Sequence, residues 1–134
     1  MSVTLTDQDK TTLRTAAWGA VSLMSAAGAA GSAHKVATYG SIALTSATGL
    51  VGHVLTKAPK GVKYGKTVAE LADQVLPALT AAMGLLRQQD PAEADNFRST
   101  VIVAIDSAAQ THQGRPSPTL VDMARKITGA LDAA

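Results

Sequence analysis

Cysteine is absent from the 134 residues, which excludes thiolate nucleophiles, thiolate zinc sites and a disulfide framework. A chain of this length buries a sizeable single core without such staples. A reducing compartment is compatible with the absence. Aromatic residues are nearly as scarce, with Trp18, Tyr39, Tyr64 and Phe97 forming the complete set. A core so short of rings must be filled by Leu, Val, Ile, Met and Ala, and 26 alanines are present. That filling suits helices packed closely. Such alanine-rich, Phe- and Asn-poor usage resembles a bacterial protein from a GC-rich genome.

Carboxylates are missing from one long stretch, since none lies between Asp9 and Glu70. Residues 1–66 carry seven basic and two acidic side chains, whereas residues 67–134 carry five and eight. The net charge of +2 therefore conceals two halves of opposite sign. The amino end places Asp7 and Asp9 where a secretory signal would carry Lys or Arg before an apolar core, so a cytoplasmic protein is expected.

What is present reads as helix. Thr6, followed by Asp7 and Asp9, caps a first helix near 6–27 with Leu13, Ala17, Ala20 and Met24 on one stripe. Gly28 and Gly31 end it. A second helix near 33–57 carries Val36, Ala43, Ala47, Leu50 and Val54, with glycines that let neighbours approach closely. It is expected at the centre, beside the third and fourth helices. Thr67 and Glu70 form a capping box opening a third helix near 67–89, whose stripe runs from Val68 through Leu71, Val75, Leu79 and Met83 to Leu86. Pro77 interrupts that stripe, so a kink or break is expected nearby. Asp90, Pro91 and Glu93 open a fourth helix near 91–112 around Phe97, Val101, Ala104 and Ile105. Ser117 and Pro118 start the last, near 118–132, with Leu120, Ala124, Ile127 and Leu131 inward. The expected fold is a single all-α domain over 1–134, a compact bundle of five to six helices.

Residues 61–67 imitate a phosphate-binding loop, with Gly61, Gly65, Lys66 and Thr67. Only three residues separate the first Gly from the Gly-Lys-Thr, one too few to curl backbone N–H groups around a phosphate. The apolar run 101–106, ending in Asp106, could imitate the strand that carries a magnesium ligand, but it lies in a well-capped helical window. The chain is also too short for several α/β units. A milder use remains for Lys57, Lys60, Lys63, Tyr64 and Lys66, which could attract nucleic acid, an anionic membrane or an acidic partner. The simpler reading is a solvated loop, because four lysines without arginine or aromatic interleaving are a weak nucleic-acid footprint.

His34, His53 and His112 have no second ligand at helical spacing, so no metal or other cofactor is expected. Asp73, Asp95, Asp106 and Asp122, the candidates for acid–base work, each fit the outer face of a helix. Two long uncharged runs, 15–33 and 36–56, are long enough to span a bilayer, yet their small and hydroxylated residues make insertion marginal. The expectation is a non-enzymatic protein–protein interaction module that self-associates as a homo-oligomer, using the opposed charges of its halves. The alternatives are an anion-binding module built on the lysine loop and a small carrier or enzyme with an apolar pocket lined by Trp18, Met24 and Met83.

Overall fold

The computed structural model describes residues 5–27, 42–57, 67–109 and 118–133. These form an all-α bundle of six helices, with no strand among the described residues. The helices are α1 (Asp7–Ala27), α2 (42–45), α3 (Gly49–Leu55), α4 (Val68–Gln89), α5 (Pro91–Ala109) and α6 (Pro118–Asp132). The expected helical residues 33–41 and 110–112 lie outside the described residues.

Side-chain caps start three of the helices. Asp9 N–H donates to Thr6 Oγ1 at 3.0 Å while Thr6 N–H donates to Asp9 Oδ2 at 3.1 Å, a reciprocal box at the head of α1. Thr67 Oγ1 accepts from Glu70 N–H at 3.1 Å to open α4. Asp90 Oδ1 accepts from Ala92 N–H at 3.1 Å to open α5. Each satisfies a donor that the first turn leaves without a backbone partner.

Two expectations about helix continuity are corrected. The stretch 33–57 is not one helix: the chain turns at Ser46, leaves helical geometry at Ala47 and Thr48, and restarts at Gly49 with φ +77°. Thr45, Ser46 and Thr48 hold helices weakly, and Gly49 takes a left-handed conformation that side chains resist. The turn packs so tightly that a Cβ on Gly52 would strike the Ala47 carbonyl. Conversely, α4 does not break at Pro77. Pro77 is exposed, so its ring meets solvent, while Leu71, Val75, Leu79 and Met83 bury the opposite side and hold both halves of the helix down.

Of the second helical segment, expected beside the third and fourth helices, the described part α3 touches α1 and α5 but not α4, and 33–41 lies outside the described residues. α1 touches α3, α4, α5 and α6, and its pairing with α4 is the most extensive in the bundle. Leu13, Ala16, Ala17, Val21, Leu23 and Met24 are all buried, so α1 is covered on more than one face. Alanine makes this feasible by letting neighbouring axes come close. Gly19 marks the tightest approach, where a Cβ would lie 2.5 Å from Val75 Cγ2. Val68, expected inward, is 39% exposed because it sits on the first, outermost turn of α4.

The last helix is tied on by polar bonds as well as by Met123, Ile127 and Leu131. Thr80 Oγ1 donates to the Ala130 carbonyl at 2.7 Å. Arg98 Nε and Nη2 donate to Asp132 Oδ1 and Oδ2 at 2.8 and 3.3 Å, a forked pair joining α5 to the end of α6. The Arg98 hydrogen bond holds the Asp132 carboxyl below the usual aspartate range.

Two measurements check this packing. Gly19→Ala must force apart Gly19 and the stiff, buried Val75, and is expected to cost about 1–3 kcal/mol in urea unfolding. Gly129→Ala, where the new Cβ meets nothing within 4 Å, should instead stabilise by roughly 0.5–1 kcal/mol. In an NMR titration, Asp132 should protonate below a normal aspartate, and Arg98→Gln should raise that midpoint. Because the folded value is lowered, the pair's support is present above the unfolded aspartate pKa and is lost as pH falls through the folded one.

Candidate interaction surface

Helix α3 is only seven residues long and cannot stand on its own propensity. Its termini are satisfied by other helices. Thr48, at its N-cap, makes no side-chain capping bond. Instead Glu93 Oε2, from α5, accepts from Val51 N–H at 3.2 Å, and Asn96 Nδ2 donates to the Thr48 carbonyl at 2.9 Å and to Glu93 Oε2 at 3.3 Å. At the other end α1 supplies two donors: Arg14 Nε reaches the Val54 carbonyl at 2.9 Å and Trp18 Nε1 the Leu55 carbonyl at 3.2 Å. A carboxylate thus meets the positive end of α3 and a guanidinium its negative end, the favourable sense at both.

The sequence places Glu93 in a local box with Asp90, but its side chain is turned to α3 while Asp90 N–H donates to the Leu86 carbonyl. The clamp also draws on Arg14 and Asn96. Spacing offers no signal for them, because their partners lie 40 and 48 residues away.

Beside this clamp runs an open groove of about 280 Å³, between the α2–α3 turn and α5. Ala43, Ser46, Ala47 and Thr48 form one wall; Asn96, Ser99, Thr100 and Val103 form the other. Val103 is 55% exposed, as is Ile42 at the start of α2. A second groove, about 380 Å³, lies between Gln8, Thr11, Thr12 and Thr15 of α1 and Pro77, Ala78 and Ala81 of α4. No ionisable side chain lines either groove among the described residues. Asn96 is already engaged, and Thr100 Oγ1 donates to the Asn96 carbonyl at 2.8 Å. Hydroxyls without a neighbouring base supply contact but no activated nucleophile.

The residues weighed for chemistry are scattered. Asp73, Asp95, Asp106 and Asp122 are all exposed on helix exteriors. The run 101–106 lies within α5, so the strand of a nucleotide-binding sheet is not formed there. His53 is exposed on α3, and His34 and His112 lie outside the described residues. No group of three or more His, Asp or Glu among the described residues could hold a metal ion. Met24 and Met83 are fully buried, Trp18 is engaged with Leu55, and neither groove includes them. Lys57 is exposed just beyond α3; Lys60, Lys63, Tyr64 and Lys66 lie outside the described residues. No described helix is long and apolar enough to cross a membrane.

No family model, curated protein or solved structure matches the chain.

Two neighbouring groove residues separate structural from superficial roles. Asn96→Ala leaves the Thr48 carbonyl without its donor and should cost about 1 kcal/mol in urea unfolding. Ser99→Ala, on the exposed rim, should stay within about 0.5 kcal/mol of the parent.

Proposed function

We propose that the protein is a non-enzymatic interaction module that works in the cytosol by associating with further copies of itself. The observation carrying this reading is the groove beside α5, apolar at Ala43, Ala47 and exposed Val103 and without an acid–base group among its described lining. Such a surface offers area and shape to another protein and little to a reacting substrate.

Charge supports the same reading. Between Asp9 and Glu70 the chain carries seven basic side chains and no carboxylate, whereas eight of its ten Asp and Glu residues lie from Glu70 onward. The lysine run of one copy can therefore attract the acidic helix exteriors of another, steering association and making it salt-dependent. The alternative is that Lys57, Lys60, Lys63, Tyr64 and Lys66 meet nucleic acid or an anionic membrane instead.

Light scattering coupled to size exclusion tests the proposal across a concentration and salt series. Oligomers that weaken in high salt, and that Val103→Lys reduces several-fold, are expected. A monomer at high micromolar concentration in both low and high salt would remove self-association. Salt-sensitive binding of that monomer to duplex DNA or anionic vesicles would move the lysine run to the alternative.

A further inference from the structure

We infer that α3 is a detachable clip, a helix that leaves α1 and α5 as a unit while α1, α4, α5 and α6 remain packed. Its attachments are few, with two side chains at each end. α3 touches α1 and α5 but neither α4 nor α6, whereas α1, α4, α5 and α6 all touch one another. Removing α3 therefore leaves a closed four-helix set, with every pairwise contact of that set intact.

Nothing inside α3 keeps it in place. It contains two glycines in seven residues, begins at a left-handed residue and follows a non-helical break at Ala47 and Thr48. Glycine lowers its helix propensity, and the break at Ala47 and Thr48 separates it from α2. What fixes it is the burial of Val51, Val54 and Leu55 plus four side-chain groups: Glu93 and Asn96 at its head, Arg14 and Trp18 at its tail. Each of those polar groups can exchange its bond to α3 for one to water, because Arg14, Trp18, Glu93 and Asn96 are only partly buried. The release is thus a cooperative event confined to one element, the kind of sub-global opening that precedes whole-chain unfolding.

The slot left behind has a direction. A carboxylate and an amide stand at one end, a guanidinium and an indole N–H at the other, with apolar faces of α1 and α5 between them. That pattern receives the head of a short helix at Glu93 and its tail at Arg14, so the clip closes in one orientation only.

Native-state hydrogen exchange on the full chain tests the inference. The amides of Val51, Gly52 and Thr56, which bond to Glu93, Thr48 and Gly52, are expected to exchange at least about tenfold faster than those of Leu79 to Leu86. Their opening should depend weakly on denaturant, because little surface is exposed. Trp18→Phe, which keeps a smaller aromatic side chain and removes the donor to Leu55, should accelerate the α3 amides several-fold and leave Leu79 to Leu86 unchanged. Equal protection of both sets in the parent chain, with the same denaturant slope, would show that α3 opens only when everything does and would overturn the inference. Equal acceleration of both sets by Trp18→Phe would overturn it as well.

Discussion

The bundle depends on how closely α1 can be approached. A helix with large side chains on every face would hold its neighbours farther away. Ala16, Ala17, Gly19 and Ala20 shorten that distance along one segment, and Val75 of α4 fills the space that Gly19 leaves open. With α4 seated there, α5 and α6 pack around the pair, and Phe97, Ile105 and Ile127 close the remaining core. The scarcity of aromatic rings follows from the same constraint, since close axes leave little room for them.

Polar groups then decide the placement of the smallest helix. α3 lacks the length to form alone and is ordered by partners drawn from α1 and α5. Its dipole is complemented at both ends by side chains of α1 and α5: Glu93 at the head, Arg14 and the half-buried Trp18 at the tail. The resulting hierarchy, four mutually packed helices with α3 held on by hydrogen bonds and three apolar residues, distinguishes a stable frame from a movable part.

Local chemistry made the helix starts legible in the sequence. Thr6, Thr67 and Asp90 each act within three residues, so their patterns survive whatever the tertiary structure does. The strong stripe of α4 was likewise readable, because Leu and Val commit to burial. Alanine does not commit. The second buried face of α1 carries Ala16, Val21 and Leu23, and Ala16 reads equally well as solvent-facing, which hides how fully the helix is covered. The break before α3 was obscured by the continuing apolar spacing of Ala43, Ala47 and Val54 across it. The clamp on α3 was invisible for a different reason: Arg14, Trp18 and Asn96 act on residues 37 to 48 positions away, and nothing in spacing encodes such distances.

For function, the surface is more informative than any motif. Asp73, Asp95, Asp106 and Asp122 stand on helix exteriors, and the two described grooves are lined by small apolar residues, hydroxyls and amides. All of this rests on the seating of α4 against α1. The most direct measurement is the proton–proton NOE spectrum of the chain in solution. Cross-peaks between the Gly19 α-protons and the Val75 methyls are expected, because a Cβ at Gly19 would lie within 2.5 Å of Val75 Cγ2. Val75 methyls that show strong contacts elsewhere and none to Gly19 would contradict the central position of α1.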